Sequence, residues 1–380
     1  MRHLVRNAAS MRKTRRPLTV TYLIPNVRAL TGGNQTFLGQ ADALHRRGHP
    51  VTILSRTPRP EWFSSPVRIV CVPRSHALAP YVPTSDVVIS THFTNTHELL
   101  GVRAPVKIYC ARGDQYVFAD PALGTSAVTQ SLRELSRRSY AYPGIRFVPN
   151  SRHLAEVVAQ QAGRAADALL PVCVDQTIFR PLPRPLRGSI VRVLIVGPDV
   201  PGGAIEPLAF KGMQDIRAAL ALCWHRRAEF TVVRMASTPP EIFADVPCEY
   251  YLAPDPQMKT VLYGLADILI YASHFDSCPR PPLEAMAAGC AVICTRTPGA
   301  LEYCRDGDNC LLVPVQSPPA LAQALERLLA DHDLRARLAA GGLGTARQYP
   351  REREWDALES LLGRFGADAQ RDRAQGDVRR

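Results

Sequence analysis

Residues Tyr271 to Gly289 read YASHFDSCPRPPLEAMAAG, and the reading of this stretch decides the fold. The run before it, Ile268–Tyr271, is short and wholly apolar, as a buried parallel strand requires. Polar residues and prolines then break the pattern. Pro281 and Pro282 fall where a helix can begin, because the first turn leaves its N–H groups unpaired in any case. Leu283, Met286 and Ala287 supply an apolar face, and Gly289 ends the helix. A strand, a turn and a helix in that order predict a parallel α/β sheet. Two carboxylates bracket the turn, Asp276 in the loop and Glu284 in the first helical turn. Turns at the carboxyl ends of parallel strands are where open α/β sheets bind ligands. The helix start offers N–H groups and a positive dipole end to a phosphate, while carboxylates accept hydrogen bonds from neutral hydroxyls. A ligand carrying both phosphates and sugar hydroxyls would use both features. A plainer reading stays open, with Asp276 a solvated loop residue and Glu284 a complement to the helix dipole.

Downstream come a strand at Ala291–Cys294, the string TPGALE ending at Glu302, and DGDNCLLVP ending at Pro314. Taken with Asp276, Glu284 and AMAAG, this string resembles the donor-site block of glycosyltransferase family 4, the group 1 glycosyltransferases, which are retaining enzymes of the GT-B fold. The family's usual form is Glu, seven residues, Glu, then AMA and Gly. Here the first acid is Asp276, one methylene shorter. Ser277-Cys278-Pro279 stands where the family has Gly-aromatic-Gly, and Pro279 has no N–H to donate. The resemblance implies two Rossmann-like doubly wound domains facing each other across a cleft. It implies a nucleoside-diphosphate sugar as co-substrate, no metal, and transfer of a hexose to a hydroxyl acceptor with retention. Glu284 would hold the ribose hydroxyls and Asp276 those of the sugar, with Ser277 and Cys278 beside them.

The second domain opens with the strand Val191–Val196 and Gly197. In the resembling family an Arg follows within a few residues and a Lys opens the next helix, and the two cations hold the departing diphosphate. Lys211-Gly212 matches the second position. Pro198 and Asp199 occupy the first, which leaves Arg234, just past a strand Phe230–Val233, or Arg280 as substitutes.

The first domain begins with the strand Thr19–Ile24. The turn Gly32-Gly33-Asn34-Gln35 follows, then a helix with Phe37, Leu38, Ala41 and Leu44 at helical spacing, then the strand Val51–Leu54. Paired glycines let a ligand approach the backbone. The resemblance sets Gly33 near the diphosphate and Asn34 on the acceptor side. His92 lies just past a strand Asp86–Ser90. It either faces the cleft, toward the acceptor or the moving sugar, or is a satisfied structural histidine. Arg112 and Asp114 follow the strand Val106–Cys110, where the family often carries a His, and are read as acceptor-side residues; Arg112 suits a phosphate or an acidic acceptor.

These signals divide the chain into a basic flexible arm (1–16), a first domain (17–183), a proline-rich linker (Pro181–Gly188) and a second domain (188–346). A last helix (350–364) would cross back onto the first domain, and a charged tail (366–380) reads as disordered.

Composition bounds the rest. The 380 residues, 46% hydrophobic, suit two full cores. No apolar run approaches the roughly 20 residues of a membrane-spanning helix, and the N-terminus lacks a signal-type apolar core. A cytoplasmic place is expected, with peripheral contact at the inner membrane face open to it. None of the ten cysteines forms a CxxC pair, so reduced core thiols are expected rather than zinc. Of the +12 formal charge, six cations lie in residues 1–16, an arm suited to anionic lipid. No nucleic-acid motif is present. The acceptor would be a glycan, a lipid-linked sugar or a small molecule, in cell-surface polysaccharide or glycolipid synthesis. Two other readings stand beside this one. A sugar-nucleotide epimerase would turn over donor without acceptor, and a degenerate GT-B protein would bind a partner or membrane without catalysis.

Overall fold

The computed structural model describes residues 16–28, 32–113, 127–183, 190–198 and 209–378. Among them are two six-stranded sheets, every strand pair parallel. The first sheet holds β1 (Val20–Ile24), β2 (Val51–Ser55), β3 (Arg68–Cys71), β4 (Val87–Ser90), β5 (Val106–Ala111) and β6 (Arg146–Pro149), in the order β3-β2-β1-β4-β5-β6. The second holds β7 (Val191–Val196), β8 (Phe230–Ala236), β9 (Glu249–Leu252), β10 (Ile268–Tyr271), β11 (Ala291–Thr295) and β12 (Leu311–Val313), in the order β12-β11-β10-β7-β8-β9. Both orders reverse once, the first between β1 and β4 and the second between β7 and β10. A doubly wound sheet opens its binding crevice at that reversal.

The helices follow their strands. They are α1 (Gly32–Arg46), α2 (Ala127–Ala141), α3 (Arg152–Ala162), α4 (Met213–Leu222), α5 (Pro256–Leu265), α6 (Pro281–Ala287), α7 (Pro318–Ala330), α8 (His332–Ala346) and α9 (Arg351–Val378). Central strands such as β10 and β11 are buried along their whole length, because helices cover both faces of the sheet. Each sheet therefore has two cores. In the second domain Val193, Ile195, Ile268 and Ile270 face one and Leu194, Leu269, Val292 and Cys294 face the other.

The expected elements formed around Tyr271–Gly289. β10 ends at Tyr271, α6 starts at Pro281, and Gly289 takes φ +79°, the left-handed turn that stops a helix. Ser151 caps α3, its hydroxyl accepting the Leu154 N–H at 3.1 Å.

Three expectations change. The crossing between domains comes before the prolines. Leu170 packs in a first-domain core and Val174 and Phe179 in a second-domain core. Phe179 also meets Tyr263 edge-on at 5.0 Å. Leu321, Leu325, Leu328 and Leu329, on one face, read as a single helix after Pro314, but after β12 there are two, α7 and α8. The last helix returns to the first domain as expected, seating Leu358, Leu361, Leu362 and Phe365 in its core, but it runs on to Val378. The charged segment read as disordered is thus helical to that point, where ion pairs such as Asp368 with Arg371 span one turn. Residues 1–15 and 184–189, which hold most of the basic arm and linker, lie outside the described residues. No helix among the described residues is long and apolar enough to cross a membrane.

Candidate functional site

The reversal point of the second sheet places Lys211 and Asp276 together. Lys211 lies on the connection after β7 and Asp276 on the turn after β10. The Lys211 ammonium donates to both carboxylate oxygens of Asp276, at 3.0 and 3.1 Å, and to the Tyr271 hydroxyl at 3.2 Å. Tyr271 in turn donates to Asp276 at 2.7 Å. Burial, then the neighbouring Asp276 carboxylate, push the Tyr271 pKa well up, so the phenol keeps its proton and acts as a donor. Gly212 makes this approach possible. It takes φ +68°, and a Cβ there would lie 2.0 Å from the Ala272 carbonyl oxygen. The turn is closed from the other side by Gly299, where a Cβ would lie 2.0 Å from the Asp276 carbonyl oxygen. A cation and a carboxylate, each about one-fifth exposed, therefore sit at a strand-end crevice on a backbone with no slack.

Glu284 occupies the first turn of α6 and is buried. Its oxygens accept the Tyr263 hydroxyl at 2.8 Å and the Arg280 Nε–H at 3.2 Å. Arg280 reaches the first domain, donating to the Gly32 carbonyl at 3.1 Å and to the Thr36 hydroxyl. Ser277 makes the second bridge. Its hydroxyl donates to the Arg112 carbonyl at 3.0 Å and accepts from the Asn150 amide at 3.0 Å. Glu302 makes the third, accepting the first N–H groups of α3 from Arg152 at 2.9 Å and His153 at 3.3 Å. Gly32, Arg112 and Asn150 follow β1, β5 and β6, while Ser277, Arg280 and Glu302 follow β10 and β11. The carboxyl ends of the two sheets thus face each other across one cleft.

His92 and Gly33 stand at the reversal point of the first sheet, past β4 and β1. The His92 ring stacks on Phe93 at 4.5 Å, and its Nδ1 accepts the Thr94 N–H at 3.3 Å. The ring proton is therefore on Nε2. Burial lowers the pKa to about 4, so His92 is a neutral N–H donor near neutral pH. Gly33 and Asn34 lie in the first turn of α1. Helix begins at Gly32 itself, so the glycine pair is the helix start and not a separate turn.

Other candidates are placed differently. Arg234 lies inside β8, which runs three residues past Val233. Its guanidinium is fully buried and donates to the carbonyls of Ile195, Met235 and Gly197 at 3.3, 2.9 and 2.8 Å. It clamps the ends of β7 and β8, so its role is to hold the strand that leads to the donor crevice. Arg112 is buried against Glu354 of α9 at 2.6 Å and over the Phe37 ring. Its acceptor-side reading gives way to a brace between α9 and the cleft floor. Cys278 is half-buried, and burial raises its thiol pKa, which keeps it protonated. Arg280 spans the cleft as above. Asp114 lies outside the described residues.

Sequence reasoning missed Tyr271, Tyr263, Asn150 and Glu354. The two tyrosines end apolar runs and read as core; nothing in a strand pattern marks a hydroxyl aimed at a carboxylate. Among the described residues no three His, Cys, Asp or Glu side chains converge to hold a metal ion.

Residues 250–343, which include β10, α6 and β11, match the family model described as glycosyl transferases group 1. The part of the second domain from β9 to α8 is thus similar to the group 1 glycosyltransferases. A curated relative is the lipopolysaccharide core biosynthesis glycosyltransferase LpsE of Rhizobium meliloti (strain 1021). It is 36% identical over 97 residues, 25% of this chain and 28% of that protein. The match thus spans about a quarter of either chain. Over both domains the fold is that of sucrose-phosphate synthase from Thermosynechococcus elongatus, with TM-score 0.74, 16% identity, 92% of this chain and 100% of that one. It is also that of Anabaena HepE, solved in complex with UDP-glucose, with TM-score 0.72, 14% identity, 91% of this chain and 99% of that one. The second domain and its partner domain together form the two-domain GT-B fold.

Proposed function

We propose that this protein transfers a hexose from a nucleoside-diphosphate sugar to a hydroxyl acceptor, with retention of anomeric configuration and without a metal. One observation carries the reading. The Lys211 ammonium, Asp276 and Tyr271 form a hydrogen-bonded triad at the reversal point of the second sheet. Lys211 neutralises the diphosphate as it leaves, where a cation is most effective because charge develops there. Asp276 and Glu284 accept the hydroxyls of the sugar and of the ribose. Donor binding replaces the internal partners these carboxylates now hold. The His92 Nε2–H donates to a hydroxyl of the moving sugar or the acceptor. The His92 lone pair is held by the Thr94 N–H, and the departing diphosphate oxygen takes the acceptor proton. The HepE complex with UDP-glucose makes a uridine donor the first to try. The LpsE likeness makes a cell-surface glycolipid or polysaccharide the acceptor class to try.

The test is thermal stabilisation by UDP-, GDP- and ADP-sugars. A donor at about 100 times its Kd adds roughly 2.7 kcal/mol of stability. The shift is expected with one nucleotide only and is lost in Lys211→Ala and Glu284→Ala. No shift with any donor would turn the reading toward a binding protein. Release of nucleotide with EDTA present, equal to that without it, is the expected result for metal independence.

A further inference from the structure

A groove on the α1 side of the cleft is not used by the donor reading. Leu38, Trp62 and Phe63 form its apolar wall, and Lys259, Arg280 and Arg351 give it three cations against one acid, Asp42. Three of these four charges already have partners. Asp42 pairs with Arg46 at 2.5 Å, Arg280 with Glu284 at 3.2 Å and Arg351 with Asp175 at 2.9 Å. Lys259 is different. Among the described residues its ammonium has neither an ion pair nor a hydrogen bond. Burial lowers its pKa, with Glu284 opposing that shift and Arg280 adding to it. In the same lining, the Trp62 indole N–H is buried and lacks an acceptor among the described residues, which a folded protein rarely leaves so. A half-buried cation and a buried donor, both unanswered, line one apolar groove.

The geometry points to this groove as a second binding site, for a phosphomonoester carried on a flat ring. Lys259 takes the charge, the Trp62 N–H takes an oxygen, and Trp62, Phe63 and Leu38 pack on the ring. Lys211 and Asp276 do not line the groove, so its occupant sits away from the reacting atoms and meets the donor reading only at Arg280, the partner of Glu284.

The full chain is titrated with phenyl phosphate, followed by tryptophan fluorescence and melting temperature. Inorganic phosphate and the neutral phenyl β-glucoside run in parallel, each with and without saturating UDP. Saturable binding of phenyl phosphate is expected, about tenfold tighter than either control. Lys259→Gln weakens it about tenfold, Trp62→Phe removes the fluorescence change, and Asp276→Ala, outside the groove lining, leaves it intact. Lack of saturation, equal affinity in Lys259→Gln, or displacement by UDP would overturn the proposal; the last would make the groove an extension of the nucleotide site. Failure of UDP itself to bind would sink the donor reading alone, because the phenyl phosphate titration needs no nucleotide.

Discussion

Lys211 and Asp276 answer each other's charge while the crevice waits, and a ligand must win them from that pair. Removing Lys211 leaves Asp276 with Tyr271 alone. Lys211→Ala is expected to cost roughly 10²–10³ in turnover, read from steady-state nucleotide release, with a melting temperature close to the parent's. Tyr271→Phe keeps both charges and loses only the hydroxyl that orients the carboxylate, so a loss of about tenfold is expected, worth one hydrogen bond. His92 gives a pH signature. Its folded pKa is about 4 against an ordinary 6.5, so between those values the unfolded chain binds the extra proton. Stability therefore rises with pH across that window and the His92 contribution is complete above it. Urea unfolding of His92→Gln should show a flatter acid limb than the parent; an unchanged limb would deny the buried neutral imidazole.

At the scale of elements, the site depends on how closely two turns approach. Gly212→Ala puts a methyl into the Ala272 carbonyl and onto a residue at φ +68°. Gly299→Ala puts one into the Asp276 carbonyl. Each is expected to cost at least about 2–3 kcal/mol in denaturant unfolding and to abolish donor stabilisation. Sequence reasoning reached these turns because their signals are local. The unbroken Ile268–Tyr271 run, the Pro281-Pro282 pair and Gly289 each fix one boundary, while Lys211-Gly212 is placed only by its match to the resembling family. It failed where the deciding contact is distant. Arg234 looked like the end of a strand because a charge interrupts an apolar run, yet inside it meets three carbonyls, of Ile195 in β7, of Gly197 just past β7 and of Met235 in its own strand. Arg112 looked free to meet an acceptor because Glu354, its partner, lies 242 residues on. The tail looked disordered because composition reports burial, and a helix can continue past its buried face on its own backbone bonds.

For the whole molecule, α9 matters most. It places Leu358, Leu361, Leu362 and Phe365 in a first-domain core, and Glu354 binds Arg112 at 2.6 Å and Gln40 at 2.7 Å. At about 1.5–3 kcal/mol per buried side chain, those four residues contribute on the order of 6–12 kcal/mol as an upper figure. That equals the whole stability of a typical domain. Ending the chain after Tyr349 is expected to unfold the first domain while the second keeps its sheet, which circular dichroism and limited proteolysis would separate.

The two passages of the chain between domains run side by side. Val174, on the outward passage, donates its N–H to the Tyr349 carbonyl at 2.9 Å and bridges to Pro350 on the return. Two lobes joined along one bonded seam are arranged like the covers of a book, and the contacts of Arg280 and Glu302 tie the pages across the opening. A ligand entering between the pages has to share that opening with those ties.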